Sequence, residues 1–137
     1  MAYINIHDQP GPHRDFFDLP AVAVLSFGDE YPVWHAPFTA KIRYVAFVMG
    51  EGGLTGGGGV NYTDVQVIDK GTDGTGATVL ETTSFDAAAA EFDSFYVYRP
   101  AAYDAVDSGT VLSILYAAQG AGEAMPRIHG YVEYEGN

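Results

Sequence analysis

Short apolar runs broken by glycine, proline and aspartate recur along this chain, and the two clearest of them flank one glycine loop. The stretch from Val33 to Gly76 contains both runs. It opens on Val33-Trp34-His35-Ala36-Pro37-Phe38 and continues into an apolar segment, Ile42 to Met49. Within Ala40–Met49, strict alternation sets Ile42, Tyr44, Ala46 and Val48 against Lys41, Arg43, Val45, Phe47 and Met49, which predicts a strand entering a sandwich from its rim. Tyr62–Asp69 alternates as cleanly, with Thr63, Val65, Val67 and Asp69 opposed to Tyr62, Asp64, Gln66 and Ile68. Lys70–Gly76 then reads as a double turn, its Asp73-Gly74 pair suited to positive φ.

The same grammar holds elsewhere. Ala21–Phe27, bounded by Pro20 and Gly28, reads as a buried strand. Tyr31–His35 is an extended piece that Pro32 marks as an edge or irregular strand. Ala77–Thr83 and Asp93–Arg99 are further strands. Thr110–Ala117 sets Val111, Ser113, Leu115 and Ala117 against Leu112, Ile114 and Tyr116, with so few polar residues that a central strand is expected. Arg127–Tyr134 alternates Ile128, Gly130, Val132 and Tyr134 with Arg127, His129, Tyr131 and Glu133, so one face meets the core. Helix signals occur together only at Ser84–Phe92, where Ser84 can cap, Asp86 favours the N-terminal end and four alanines follow. The result is an all-β chain of about eight strands, a jelly-roll-like β-sandwich with at most one short helix.

Residues 1–20 differ in kind. Pro10, Pro12 and Pro20 with Gly11 forbid a helix and favour an extended path beyond one short strand at Tyr3–Ile6. Two readings remain open: a partly ordered tail, or an arm across a neighbouring subunit anchored by Phe16, Phe17 and Leu19. The expected organisation is an extended N-terminal arm, 1–20, and a sandwich domain, 21–137.

Composition narrows the function. The 137 residues carry 18 Asp plus Glu against six Lys plus Arg, a formal charge of −12. So few cations neutralise few phosphates and attract little anionic lipid, which argues against nucleic-acid and membrane partners. The two lysines, Lys41 and Lys70, fit either a high-salt host or a genome poor in lysine codons. There is no cysteine, hence no disulfide, thiolate metal site or cysteine nucleophile. No apolar run approaches the ~20 residues that span a bilayer. The first residues lack a basic segment followed by an apolar one, so synthesis in a cytoplasm without a secretory signal is expected.

Candidate chemistry is sparse. Gly50–Gly59 holds seven glycines, predicting a loop that is mobile when unpartnered. It ends in Val60-Asn61-Tyr62 rather than Gly-Lys-Ser/Thr and a helix, so it is not a phosphate-binding loop. Asp69 and Asp73 lack the spacing of a calcium loop. His7, His13, His35 and His129 show neither metal-ligand spacing nor a serine elbow nearby. The carboxylate pairs Asp29/Glu30 and Asp64/Asp69 fall in turns or on a strand face, as solvated acids do. No cofactor, metal or catalytic residue is expected. Tyr31, Trp34, Tyr62, Tyr96, Tyr98, Tyr103 and Tyr131 offer rings that either bind sugar or fill strand faces and subunit interfaces.

Three patterns together, Trp34-His35-Ala36-Pro37-Phe38-Thr39-Ala40-Lys41-Ile42, then Tyr62 through Gly76, then Val106-Asp107-Ser108-Gly109-Thr110-Val111-Leu112, resemble the jelly-roll head decoration or cement proteins of tailed phages and related tailed viruses. The resemblance covers about residues 34–135; the N-terminal segment and the polyglycine loop have no counterpart in it. It implies a non-enzymatic virion protein on the outer surface of the capsid, a homotrimer that binds the major capsid protein and clamps adjacent subunits. Phe16, Phe17, Leu19 and Trp34 are the expected interface anchors. The alternatives are a virion carbohydrate- or receptor-binding module and a tail or baseplate component; nothing in the residues themselves singles out a glycan.

Overall fold

The computed structural model describes residues 11–56 and 59–137. Among them nine strands form: β1 (Pro12–Leu19), β2 (Glu30–His35), β3 (Ala40–Met49), β4 (Tyr62–Asp69), β5 (Thr78–Phe85), β6 (Ser94–Tyr98), β7 (Asp104–Val106), β8 (Val111–Gln119) and β9 (Ile128–Gly136). One antiparallel sheet has the order β1-β9-β3-β6, with β7 also paired to β3, and the other runs β2-β8-β4-β5. The chain passes from sheet to sheet, and the late strands β8 and β9 insert beside β2 and β1. That is the double Greek key of a jelly roll, so the expected all-β sandwich is what the chain forms.

The core lies between the sheets, and alternation explains most of it. Leu112, Ile114 and Tyr116 of β8 meet Ile128, Val132 and Tyr134 of β9 as buried residues, with Val65 and Val67 of β4 among them. β8 is flanked by β2 and β4, which makes it central as its apolar sequence requires. Pro32 sits on β2, an edge strand with a register shift between Pro32 and Trp34.

Strict alternation fails in β3. A bulge between Ile42 and Tyr44 places Ala40 and Ile42, then Val45, Phe47 and Met49, in the core, merging residues of the two expected faces. The extra residue turns Arg43 and Tyr44 outward together.

Three expectations are corrected. Residues 12–19 are not an arm but β1, paired with β9 from Pro12↔Glu135 to Leu19↔Ile128. The prolines bracket this edge strand, Pro12 as its first residue and Pro20 just past its end, and so do not interrupt it. The sandwich therefore begins before residue 21, while the strand expected at Tyr3–Ile6 lies outside the described residues. Ala21–Phe27 is not a strand: only Val22 bridges to Met125, and Val24–Ser26 is a 3-10 turn with Leu25 fully exposed. Ser84–Phe92 is not a helix. Ser84 and Phe85 complete β5, and Ala89 exchanges both backbone hydrogen bonds with Leu54 at 2.7 and 3.0 Å. Two turns of helix carry too little stability of their own to compete with that pairing.

The Leu54 bridge also restrains the glycine loop. Leu54 is buried, and the Glu123 carboxylate accepts the amides of Thr55 and Gly56 at 2.8 and 3.0 Å. Gly130 on β9 serves a packing need: a Cβ there would stand 2.4 Å from Phe17 Cζ, so only glycine admits that ring.

Candidate interaction face

The outward side of the β1-β9-β3-β6 sheet is built from residues that alternate away from the core. β1 presents Arg14, Phe16 and Asp18; β9 presents His129, Tyr131 and Glu133; β3 adds Arg43 and Tyr44 at the bulge; β6 adds Tyr96. Register brings them together. Phe16 opposes Tyr131 and Arg14 opposes Glu133 across β1 and β9, while Tyr44 opposes Glu133 and Ala46 opposes both Tyr131 and Tyr96.

The rings form a continuous row. Phe16 and Tyr131 have centroids 5.7 Å apart, Tyr131 and Tyr44 5.8 Å, and Tyr44 and Tyr96 5.1 Å, the last two edge-to-face. Such geometry matches ring edges to ring faces and stiffens the row. Guanidinium groups lie on three rings: Arg14 over Tyr131 at 4.5 Å, Arg99 over Tyr96 at 4.4 Å and Arg43 over Tyr103 at 5.2 Å.

One acid organises the cations. The Glu133 side chain is 7% exposed; its Oε1 accepts from Arg14 Nε at 2.9 Å and its Oε2 lies 3.1 Å from Arg43 Nη1. Arg14 Nη2 reaches Tyr44 Oη at 3.3 Å, and Arg43 Nε donates to Tyr103 Oη at 3.0 Å. Hydrogen bonding to Glu133 raises the Arg14 pKa and bonding to Tyr103 raises that of Arg43, so both stay charged. Burial, then the neighbouring Tyr131 and Glu133, pushes the Tyr44 phenol up to about 12. The face therefore presents fixed guanidinium donors, the neutral Tyr44 phenol and ring surfaces. This is the composition of binding hot spots.

It is also where the scarce cations gather. The arginines are Arg14, Arg43, Arg99 and Arg127, and the first three belong to this face in a chain of net charge −12. At one end, Arg43, Tyr44, Arg99, Pro100, Ala101 and Tyr103 line a cleft of about 370 Å³. At the other, Phe16, Val48, Gly130 and Tyr131 form an apolar hollow beside the exposed Asp18–His129 pair.

Of the anchors expected from sequence, the face contains one. Phe16 is 75% exposed on it. Leu19 and Trp34 are 3% and 5% exposed within the core, and Phe17 packs against that core over Gly130. Their burial corrects the assignment: in this fold they hold the sandwich together, because β1 is part of the sheet and aims Phe17 and Leu19 inward. Trp34 is fixed there by Asp15, whose Oδ2 accepts both Trp34 Nε1 at 3.0 Å and Tyr134 Oη at 2.9 Å.

The remaining candidates are dispersed. His7 lies outside the described residues, His13 packs against Phe38 and Tyr134, His35 ends β2, and His129 meets Asp18. Glu30 bonds Ser113 and Lys70, Asp64 bonds Ser84 and Gln119, and Asp69 accepts the Gly71 amide. Among the described residues no group of three or more His, Asp or Glu is placed to hold a metal ion, and no helix is long and apolar enough to cross a membrane. Of the rings considered for sugar, Trp34 and Tyr98 are buried and Tyr96, Tyr103 and Tyr131 each carry an arginine on one face.

Sequence reading named Phe16 but missed Arg14, Tyr44 and Glu133 as a unit. The available signal was the shared phase of Tyr131 and Glu133 with the scarcity of arginine; the missing ones were the β3 bulge and the β1–β9–β3 register. Comparison with known protein families, characterised proteins and solved structures found no match to this chain.

Proposed function

We propose that this chain is a non-enzymatic structural protein of a virus particle, a decoration or cement protein that binds the outer surface of the head and reinforces contacts between major capsid protein subunits. The arginine–tyrosine face carries the proposal. Preorganised rings and guanidiniums, locked by Glu133, lose little side-chain freedom on docking, so contact there yields affinity efficiently. The jelly-roll body supplies a rigid frame for that surface, and the three stretches that resemble decoration proteins lie in strands and turns of the sandwich. Reinforcement follows from multivalency: a homotrimer at a threefold position engages several shell subunits at once.

The face also weighs against the glycan alternative. A sugar stacks on an open ring face, and arginine already lies on one face of Tyr96, Tyr103 and Tyr131.

The test is cosedimentation of the purified protein with undecorated heads. Saturable binding is expected, weakened about tenfold or more by Phe16→Asp, whose ring sits exposed on the face. Leu25→Asp, an equal change at an exposed site in the 3-10 turn, should leave binding unaltered. Failure to bind heads, retention on a glycan array, or labelling confined to the tail would overturn the proposal.

A further inference from the structure

We infer that the cleft between Arg43 and Arg99 takes a carboxylate side chain from an acidic segment of the protein on which this module docks. The inference deepens the docking reading of the face, and it does not depend on which particle supplies the partner.

Arg43 and Arg99 both line this one cleft with Tyr44 and Tyr103. Arg43 is already positioned: Glu133 takes its Nη1 and Tyr103 its Nε. Glu133 is shared with Arg14 and Glu135 also acts on Arg43, so these two acids balance those two arginines and Arg99 is the cation left over. Arg99 lies on the Tyr96 ring, exposed, and among the described residues it has no ion-pair partner. In a chain with three acids for every base, an arginine left without a carboxylate beside a second arginine is a local reversal of the chain's charge. An exposed guanidinium without a carboxylate, at a cleft that a second arginine also lines, favours an anion there, and its fork of donors matches a carboxylate.

The rest of the molecule selects the kind of anion. The net charge of −12 repels every anion, so an anion is held here only if it brings compensating contacts, and phosphate brings none. A carboxylate borne on a polypeptide brings apolar contact too, and the ring row from Tyr96 to Phe16 runs from this cleft across the sheet to meet it. Pro100 and Ala101 give the cleft an apolar wall suited to the methylenes of a glutamate.

The experiment has two arms. In the first, the arginine Nε–H resonances of the intact protein are followed while a capped tetrapeptide of alternating glutamate and aspartate is added. Its glutamine–asparagine counterpart, inorganic phosphate and a sulfated oligosaccharide are titrated in parallel. Saturable shifts of Arg43 and Arg99 with the acidic peptide alone are expected, and Arg127 should not move. No shift, or tighter binding of phosphate or sulfated sugar, overturns the inference. In the second arm, Arg99→Gln and Arg99→Glu are compared with Arg127→Gln for binding to undecorated heads at increasing salt. Arg99→Gln should weaken binding about tenfold and flatten the salt dependence, Arg99→Glu more so, and Arg127→Gln should do neither. Full binding by Arg99→Glu overturns the inference, as does an acid-dependent dimer of the protein itself that accounts for the shifts. Peptide shifts with no binding of wild type to heads would sustain the cleft and refute the capsid reading, so the two failures are distinct.

Discussion

Tyr116, Tyr134 and Tyr98 are all buried tyrosines, yet removing their hydroxyls should have opposite effects. Tyr116 is 1% exposed on β8, packed by Phe27 and Tyr31, and its hydroxyl has no hydrogen-bond partner among the described residues. Tyr134 donates to Asp15 at 2.9 Å and Tyr98 donates to Asp104 at 2.9 Å. Burial raises all three phenol pKa values, so each hydroxyl is neutral wherever the protein is folded. An unsatisfied buried polar group costs about 1–3 kcal/mol, whereas a hydrogen bond to a charged group contributes about 1.5–3 kcal/mol. Tyr116→Phe should therefore stabilise the fold by about 1 kcal/mol, taken at the low end because the site is ringed by polarisable aromatics. Tyr134→Phe and Tyr98→Phe should each destabilise by about 1.5 kcal/mol, since Asp15 keeps Trp34 Nε1 and Asp104 is near the surface. For a chain of this length, 1 kcal/mol corresponds to about 3–6 °C in Tm. Trp34 is the single tryptophan and is buried, so urea unfolding followed by its fluorescence reads all three variants. A Tyr116→Phe protein less stable than wild type, or a neutral Tyr134→Phe, would refute this account of the core's polar groups.

Other consequences are more local. Gly130→Ala should cost about 1–3 kcal/mol in the same urea assay, because the added Cβ meets Phe17 at 2.4 Å and the Ala46 carbonyl at 2.7 Å; a cost under about 0.5 kcal/mol would mean the ring does not sit there. Glu123→Ala removes the acceptor of the Thr55 and Gly56 amides, and limited proteolysis should cut near Leu54–Thr55 about tenfold faster with global stability little changed. The hydrogen bond from Lys70 holds the Glu30 carboxyl below its usual 4.5, with Ser113 adding to it. A depressed folded pKa means the stabilisation is present above the unfolded value and is lost as pH falls through the folded one. Glu30→Gln should therefore flatten stability against pH only below about pH 4.5, by on the order of 0.5 kcal/mol for a partly exposed, solvent-screened pair; equal slopes in both proteins would contradict it.

Strand phase was the most legible part of the fold. β8 and β9 bury the apolar residues their alternation sets together, because a half-buried strand has only two faces to choose between, whereas β4 buries Asp64 and Ile68 as well as Thr63, Val65 and Val67. What was not legible has identifiable causes. β1 was hidden because its inward positions include His13 and Asp15, polar residues satisfied only by partners such as Trp34 and Tyr134 that are distant in sequence. The bulge in β3 was hidden because a one-residue slip leaves no compositional mark when both half-faces are apolar. Ala87–Ala90 has helix propensity, but tertiary pairing at Ala89 overrides it. The interaction face depends on four strands meeting in register; sequence discloses the alternation of β6 and β9 but neither the phase of β1 and β3 nor which strand lies beside which.

The most direct test of the account is an image reconstruction of undecorated heads after incubation with this protein, at a resolution that separates the two sheets. Density for the sandwich should appear on the outer surface of the shell, with the β1-β9-β3-β6 sheet turned toward capsid subunits and Arg99 against an acidic side chain. Absence of added density, or a docked molecule that turns the β2-β8-β4-β5 sheet to the shell and leaves Arg14, Phe16 and Tyr131 in solvent, would contradict it.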